Sequence, residues 1–176
     1  MAKVVFIQRT AVEWLGVMYL SAVLKSHGHQ CSMVVESEEG RDAAAGALDE
    51  GADVFAFSCL ATDFRWALQK AATIKQESDS LVMMGGTQVT LNPEEAIRQP
   101  QVDVVCRGEG EGALLDLVDA IDRREDFSQI LNLWVKRDGT VHRNEMRRLI
   151  EDLDALPFPD RGLYSKYPVF RESGKR

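Results

Sequence analysis

The sequence has few of the residues that most often carry catalysis or bind metals. It contains three cysteines and three histidines in 176 residues, with no Cys-x-x-Cys pair, no His pair at i, i+4 and no Gly-x-Ser-x-Gly motif. Cys31, Cys59 and Cys106 are far apart, so we interpret them as small buried residues in or beside strands. His27 and His29 flank a glycine where a helix is predicted to end, which is typical of a C-cap turn. The sequence therefore predicts neither a self-sufficient active site nor a metal centre.

Long apolar runs and basic runs are also missing. No apolar stretch approaches the roughly 20 residues of a membrane span, and the 28 acidic against 21 basic side chains give a formal charge of −7. No cluster of lysine and arginine interrupts this excess. Nucleic acid and membranes are therefore not expected partners, and we expect a cytoplasmic protein.

Short runs of β-branched and apolar residues alternate along the first part of the chain with segments of helical period. Strands are predicted at residues 3–8, 30–35, 54–59, 81–84 and 102–106, and helices at 15–26, 41–50, 64–77, 93–98 and 112–124. Strands that are apolar on both faces need helices on both sides. The pattern predicts an α/β, flavodoxin-like Rossmann fold over residues 1–126, with a five-stranded parallel sheet in the order 2-1-3-4-5 and helices on both faces.

The pattern changes after residue 126. Leu133–Arg137 and Thr140–Arg143 flank an Asp-Gly pair, which predicts a β-hairpin extension over residues 127–146. Residues 147–176 contain Pro157, Pro159 and Pro168 and are interpreted as an extended, Pro-rich linker that leads towards a further domain.

Small neutral groups gather at the predicted carboxyl ends of the strands, where an open parallel sheet binds its ligands. Ser58 and Thr62 follow the third strand, and Gly85-Gly-Thr-Gln88 follows the fourth. Such an edge suits a large, mostly uncharged ligand with amide and hydroxyl groups better than a triphosphate. Taken singly, the Gly-Gly pair is equally typical of a tight turn, and Ser or Thr of a helix cap.

Three alternating glycines follow the fifth strand in Arg107-Gly-Glu-Gly-Glu-Gly112. The segment lacks the Gly-x-x-x-x-Gly-Lys-Ser/Thr pattern, and it places Glu109 and Glu111 where an anion would have to bind, so it is not a phosphate loop. At the start of a helix the two carboxylates are also well placed against the helix dipole.

Five of these pieces, in this order, resemble the N-terminal cobalamin-binding domain of B12-dependent radical SAM enzymes. They are Leu15-Gly-Val-Met-Tyr-Leu-Ser-Ala-Val-Leu24 with Gly28-His29, Ser58-Cys-Leu-Ala-Thr62, Gly85-Gly-Thr-Gln88, Arg107-Gly-Glu-Gly-Glu111 and Ile150-Glu-Asp-Leu-Asp-Ala-Leu-Pro-Phe-Pro-Asp160. The resemblance covers nearly the whole chain. It implies that cobalamin, as methylcobalamin or hydroxocobalamin, lies across the carboxyl edge with its dimethylbenzimidazole tail between sheet and helices.

The resemblance also implies an unusual lower face for the cobalt. The related domain of methionine synthase carries Asp-x-His-x-x-Gly, whose histidine binds cobalt; aligning on Gly16 places Glu13 at the histidine and Ala11 at the aspartate. A hard carboxylate is a poor match for a soft cobalt centre. Base-off, His-off cobalamin is therefore implied, with its lower face open, bound to water or covered by a side chain. The implied cofactor-binding residues are Thr10, Glu13, Leu15, Gly16, Ser58, Leu60, Ala61, Thr62, Gly85, Gly86, Thr87, Gln88, Gly108, Glu109 and Glu111, of which Leu60, Ala61 or Thr62 would cover the lower face.

The Cys-x-x-x-Cys-x-x-Cys motif of a radical SAM [4Fe-4S] cluster is absent from these 176 residues. The resemblance thus implies that the cluster and S-adenosylmethionine are bound by a C-terminal radical SAM domain that this chain lacks. The parent enzyme would transfer a methyl group to an unactivated carbon, or carry out a related radical rearrangement or cyclisation. By itself the chain would bind cobalamin without catalysing a reaction.

Alternatives without catalysis remain open. A stand-alone flavodoxin-like or receiver-like interaction domain shares the predicted fold, but a receiver needs an aspartate at the end of its third strand, where this chain has Ser58 and Cys59. Flavin mononucleotide would need a Ser/Thr-rich loop after the first strand, which residues 10–16 do not provide. A stand-alone cobalamin carrier or light sensor is a third possibility.

Overall fold

A computed structural model describes residues 1–173, which form one seven-stranded sheet with helices on both faces. The strand order is β2-β1-β3-β4-β5-β6-β7; the first five strands are parallel, and β6 and β7 are antiparallel to their neighbours. The strands are β1 Lys3–Gln8, β2 Gln30–Val35, β3 Val54–Ser58, β4 Leu81–Gly85, β5 Val104–Cys106, β6 Leu133–Arg137 and β7 Thr140–Arg143.

Eight α-helices accompany the strands within the described residues. They are α1 Leu15–Ser26, α2 Glu36–Glu39, α3 Ala43–Glu50, α4 Phe64–Glu77, α5 Thr87–Leu91, α6 Pro93–Ile97, α7 Glu111–Arg123 and α8 Pro168–Ser173, with short 3-10 helices at Leu153–Ala155 and Arg161–Tyr164. None of the helices in this part of the chain is long and apolar enough to cross a membrane.

Alternate residues of the central strands form two separate cores. On β1, Val4 and Phe6 face α1 and α7, whereas Val5 and Ile7 face α3 and α4, and all four are buried. Because both faces of a parallel sheet are covered by its crossover helices, its central strands are apolar throughout. The α/β, flavodoxin-like class and the order of the five parallel strands predicted from the sequence are thereby confirmed.

The sheet has seven strands and not the five that were predicted. The hairpin does not extend away from a five-stranded sheet but continues it, because β6 pairs with β5 through Val104 and Val135 and through Val105 and Trp134. Its turn is formed by Asp138 and Gly139, both with positive φ, as the Asp-Gly pair predicted. Adding β6 protects the edge of β5 and buries three further residues, Leu133, Trp134 and Val135.

Part of the predicted linker packs on the domain instead of extending from it. Leu163, Tyr164 and Tyr167 are each at most 5% exposed and belong to the core beneath α1 and α7. We refer to residues 160–170 as the C-terminal segment. The division into domains stays a prediction, and the last residues of the predicted linker, 174–176, lie outside the described part of the chain.

Candidate functional site

A cleft of about 180 Å³ opens at the carboxyl edge of the sheet, between its central strands and the helices α1 and α7. Seven of the residues predicted for the site line it, namely Gly16, Ser58, Gly85, Gly86, Gly108, Glu109 and Glu111. The remaining wall was not predicted from the sequence and consists of Phe6, Val17, Leu20, Ala56, Phe57, Met83, Cys106, Gly110 and Leu114. Apart from Gly110, these residues look like ordinary core positions in the sequence, and only their place beneath an open edge distinguishes them.

Small residues create this space. Ala56 of β3 is paired with Phe6 of β1 and Met83 of β4, so the row of side chains facing α1 is lowest at the centre of the sheet. A Cβ on Gly16, in the first turn of α1, would meet no atom within 4 Å. Gly110 instead allows α7 to approach α1, since a Cβ there would lie 3.1 Å from Leu20 Cδ2.

The Gly85-Gly86 pair joins two loops of the carboxyl edge. The N–H of Cys59 donates to the Gly85 carbonyl at 2.8 Å, and the Cys59 carbonyl accepts from the N–H of Gln88 at 3.1 Å. Gly86 has a φ of +88°, where glycine is strongly favoured. The group that closely approaches Gly86 is the backbone of Cys59.

The loop after β5 is held by Asn132, a residue that the sequence did not single out. Asn132 is buried with a φ of +72°; its Nδ2 donates to the Glu109 carbonyl at 2.6 Å and its Oδ1 accepts from the Arg147 N–H at 2.6 Å. The Glu109 carboxylate accepts from the N–H of Ile150 at 2.8 Å. An asparagine that tolerates positive φ before a strand is the only local signal for this role.

Glu111 lines the cleft and carries an acceptor that no group in the described part of the chain uses. It is the first residue of α7, and its Oε2 is buried without a hydrogen-bond partner in the described part of the chain. A buried polar oxygen is nearly always hydrogen-bonded in a native protein. The carboxylate is therefore suited to accept a hydrogen bond from a hydroxyl or N–H group of a ligand in the cleft.

The loop between β1 and α1, residues 9–14, forms another part of the edge. Thr10 contributes its carbonyl, which accepts from the Val12 N–H at 2.9 Å. Glu13 Oε2 lies 3.6 Å from Nη1 of Arg161 in the C-terminal segment. The following Leu15 is 53% exposed, as is Val12. The loop and the first residue of α1 thus present apolar side chains and one paired carboxylate to solvent.

The remaining predicted residues lie outside the cleft wall. Leu60, Ala61 and Thr62 follow β3 and are exposed on the same edge. Thr87 and Gln88 belong to α5 and not to a loop, and the Gln88 side chain donates to Glu95 at 3.3 Å. Val12, Leu15 and Leu60 together form an exposed apolar rim at the carboxyl edge.

Side chains that bind cobalt or other transition metals are not gathered here. His29 lies at the opposite edge, where its Nδ1 accepts from the Ala2 N–H at 3.3 Å and its Nε2 donates to Asp119 at 2.9 Å. Burial raises the pKa of the Cys59 thiol to about 12 and that of the Cys106 thiol to about 12, so both are protonated at neutral pH. Within residues 1–173 no cluster of three potential metal ligands occurs.

Comparison with known proteins places this architecture in a family. The model of the B12 binding domain matches residues 8–118. The chain is 42% identical over 79 residues to the uncharacterized methyltransferase PH0819 of Pyrococcus horikoshii, covering 44% of this chain and 17% of that protein. It is 30% identical over 151 residues to 2-(S-pantetheinyl)-carbapenam-3-carboxylate methyltransferase of Streptantibioticus cattleyicolor, and this match covers 78% of this chain and 21% of that protein. The chain thus spans about a fifth of the length of these relatives or less.

Solved structures share the fold over most of the chain. The cobalamin-dependent S-adenosylmethionine radical enzyme OxsB, with aqua-cobalamin and S-adenosylmethionine bound, superposes with a TM-score of 0.80 at 17% identity over 97% of this chain and 26% of its own. The radical S-adenosylmethionine methyltransferase TsrM of Kitasatospora setae, with cobalamin and a [4Fe-4S] cluster bound, superposes with a TM-score of 0.72 at 15% identity. The match covers 90% of this chain and 31% of TsrM. With its family match, its parallel sheet and its open carboxyl edge, this chain belongs to the B12-binding domain family.

Proposed function

We propose that the chain binds cobalamin in the base-off, His-off form, with the nucleotide tail in the cleft and the corrin ring across the loops of the carboxyl edge. The observation that carries the proposal is the cleft itself, which opens between the sheet and the helices α1 and α7 in a chain of the B12-binding family. The cobalamin bound by OxsB and TsrM, which share the fold, supports the same ligand.

The size and lining of the cleft fit one end of a large ligand. Its volume of about 180 Å³ is below the roughly 300–1,000 Å³ of pockets that enclose a whole drug-sized molecule. Phe6, Ala56, Met83 and Leu114 provide apolar contacts for a flat aromatic base. The unpartnered Oε2 of Glu111 would accept a hydrogen bond from a hydroxyl of the attached ribose.

The residues at the edge support the proposal that the cobalt has no nitrogen ligand from the protein. Val12, Leu15 and Leu60 are exposed apolar side chains at the edge that the corrin would cover. Glu13 aligns with the cobalt-binding histidine of the methionine synthase domain, and its carboxylate is paired with Arg161 at 3.6 Å. A carboxylate is in addition a hard ligand that gains little from a soft metal centre. We therefore propose that the lower face is covered by these side chains or by water.

The activity of a longer protein would depend on parts that this chain lacks. When bound, cobalamin would supply a cobalt that carries a methyl group. The names of the relatives support methyl transfer as the reaction. We propose a carbon atom as the methyl acceptor, with S-adenosylmethionine and a [4Fe-4S] cluster held by a radical SAM domain. A related rearrangement or cyclisation is the second candidate, which the anaerobic magnesium-protoporphyrin IX monomethyl ester cyclase of Synechocystis supports at 27% identity over 75 residues.

Reconstitution of the chain with hydroxocobalamin tests the cofactor and its state. We expect retained corrinoid after gel filtration, and, after reduction to Co(II), an EPR spectrum without the triplet splitting of a coordinated nitrogen. Cobinamide, which lacks the nucleotide, should bind at least tenfold more weakly, or about 1.4 kcal/mol. Folded protein that retains no corrinoid contradicts cobalamin binding, and a nitrogen triplet contradicts the base-off, His-off state.

Two variants separate the roles of the carboxylates. Glu13→Ala should leave the Co(II) spectrum unchanged, because Glu13 is proposed not to be a cobalt ligand. Glu111→Gln should weaken the binding of cobalamin and leave that of cobinamide unchanged, since it contacts the nucleotide. A changed spectrum in Glu13→Ala would contradict the proposal that Glu13 does not contribute to the surroundings of the cobalt. If Glu111→Gln lost affinity for cobalamin and for cobinamide equally, the proposal that the nucleotide lies in the cleft would be contradicted.

The reaction is tested on a longer protein that contains this chain together with a radical SAM domain. After reconstitution with iron, sulfide and cobalamin, S-adenosylmethionine carrying an isotopically labelled methyl group should pass its label to carbon of the substrate. A product without label, formed with consumption of S-adenosylmethionine, would favour the rearrangement or cyclisation instead.

A further inference from the structure

The loop between β1 and α1 is held by a tyrosine that lies far away in the sequence. Tyr164 ends the short helix Arg161–Tyr164, and its side chain is fully buried. Its hydroxyl donates to Oε1 of Gln8 at 2.9 Å and accepts from the N–H of Trp14 at 3.2 Å. Because Gln8 ends β1 and Trp14 directly precedes α1, a single hydroxyl connects both ends of the loop.

Gln8 continues the network into the loop. Its Nε2 donates to the Val12 carbonyl at 2.6 Å and to the Thr10 carbonyl. Residues 9–14 form neither helix nor strand, and the Val12 N–H to Thr10 carbonyl bond is a tight turn within the loop. Backbone groups that lack partners in a helix or sheet depend on side chains for their satisfaction. The conformation of the loop therefore depends on Gln8 and Tyr164.

Tyr164 is itself held in place from several sides. Its ring packs against Phe170 with the ring centroids 4.8 Å apart. At the start of the C-terminal segment, Asp160 Oδ2 accepts from the Ser21 hydroxyl at 2.6 Å and from the Lys25 ammonium at 2.5 Å, and both donors belong to α1. Burial raises the pKa of the Tyr164 hydroxyl to about 12, so it remains a donor towards Gln8 at neutral pH.

We propose that Tyr164 is a positioning residue that sets the place of the β1–α1 loop beneath the ligand. The C-terminal segment thereby determines where Val12 and Glu13 lie relative to the lower face of the corrin. The inference rests on the proposed function in one respect, namely that this loop faces the corrin. The hydroxyl of Tyr164 holds the loop, whereas its ring fills the core. A variant that loses only the hydroxyl therefore tests the hold on the loop without removing the packing of the ring.

Tyr164→Phe, compared with Tyr167→Phe in the full chain, tests this role. Tyr167 is similarly buried, and its hydroxyl accepts from the Val35 N–H at 2.9 Å and donates to Glu39, away from the cleft. Both variants should lower the melting temperature by comparable amounts, because each leaves buried groups unsatisfied. Only Tyr164→Phe should weaken hydroxocobalamin binding, by about tenfold, and alter the EPR spectrum of the Co(II) form.

Amide hydrogen exchange without any ligand supplies an independent readout. The Trp14 N–H should exchange at least tenfold faster in Tyr164→Phe and at the wild-type rate in Tyr167→Phe. Unchanged exchange at Trp14 overturns the positioning role, as does wild-type affinity and spectrum in Tyr164→Phe, or an equal loss of affinity in both variants. If the wild-type chain takes up no corrinoid, the proposed function fails, and the exchange rates alone decide whether Tyr164 positions the loop.

Discussion

Gly86 packs so closely on Cys59 that a Cβ on the glycine would lie 2.7 Å from the Cys59 nitrogen and 2.8 Å from its carbonyl oxygen. The contact involves backbone atoms of two loops that follow neighbouring strands, and two hydrogen bonds run alongside it. Neither loop can withdraw without breaking these bonds. The glycine pair therefore builds one side of the cleft by joining β3 to β4, in addition to any contact with a ligand.

Replacing Gly86 by alanine should destabilise the protein by about 3 kcal/mol. With φ +88° and ψ −178°, Gly86 lies in a region essentially restricted to glycine, which costs about 1–3 kcal/mol for alanine, and displacement of the Cys59 backbone adds about 1–3 kcal/mol. Gly139→Ala is the control for a positive φ alone, because Gly139 has a φ of +73° and open space around its Cβ position, so only the cost of φ remains, at about 1 kcal/mol. Urea denaturation compares the two variants, and equal losses would contradict the close contact as a source of destabilisation.

A side chain at Gly16 should block the cleft without harming the fold. A Cβ there meets no atom within 4 Å, and the position lies on the exposed start of α1. Gly16→Leu should therefore fold at least as stably as the wild type, since leucine favours a helix over glycine by up to about 1 kcal/mol. It should bind hydroxocobalamin at least tenfold more weakly, whereas Gly16→Ala stays close to the wild type. If a folded Gly16→Leu variant bound hydroxocobalamin with wild-type affinity, the ligand would have to lie outside the cleft.

Asn132→Ala should destabilise the protein by about 2–4 kcal/mol. The substitution removes both side-chain hydrogen bonds, which leaves the partly buried Glu109 carbonyl and Arg147 N–H without their partner. Asn132→Gly removes the same bonds but accepts the φ of +72°, so it should lose less than alanine by about 1 kcal/mol. Thermal unfolding measures both variants. A loss below 0.5 kcal/mol, as in ordinary surface substitutions, would refute the role of Asn132 as the centre of this loop.

Asp160 should make folding sensitive to acid. Burial alone would raise the pKa of its carboxyl, but the hydrogen bonds from Lys25 and Ser21 outweigh burial and hold that pKa below its usual value of 3.8. The unfolded chain therefore takes up this proton at higher pH than the folded chain does. The stabilisation is present above about pH 4 and is lost as the pH falls through the pKa of the folded state.

Asp160→Asn measures this contribution. The variant should lose about 1–2 kcal/mol at pH 7, and the difference from the wild type should shrink as the pH falls below the usual carboxyl pKa of 3.8. Asp154→Asn serves as a control, because Asp154 is exposed in the helix Leu153–Ala155. Urea denaturation at a series of pH values provides the free energies. A difference between wild type and Asp160→Asn that does not change with pH would contradict the assignment.

Local pattern predicted the elements that a single stretch of chain determines. Residues 3–8, 30–35, 15–26 and 64–77 begin and end as predicted, because apolar residues at periods of two or 3.6 define which side of each element is buried. The hairpin and its Asp-Gly turn were predicted as well, since positive φ at both turn positions has a clear signature. The attachment of the hairpin to β5 was not, because pairing between distant strands has no signal within either strand.

The residues of the candidate site likewise divide into those with a local signal in the sequence and those without one. Gly16, Ser58, Gly85 and Glu111 were predicted because they lie in the segments at the carboxyl ends of strands, where an open parallel sheet binds ligands, and because these segments resemble the cobalamin-binding domain. Asn132 and Tyr164 were not predicted, since an asparagine before a strand and a tyrosine in a Pro-rich segment resemble many residues without a role. Their importance lies in partners that are 23 and 156 residues away.

The sequence by itself determined the alternation of strands and helices, the parallel order of the first five strands and the edge at which a ligand would bind. These properties follow from hydrophobic periodicity and from the handedness of crossovers, which act locally and are the same in every protein. Only the tertiary structure decided the depth of the cleft, the closure of the glycine pair on Cys59 and the return of Tyr164 to the β1–α1 loop. Each of these depends on atoms that meet after the chain has folded, and close packing makes such contacts specific to this fold.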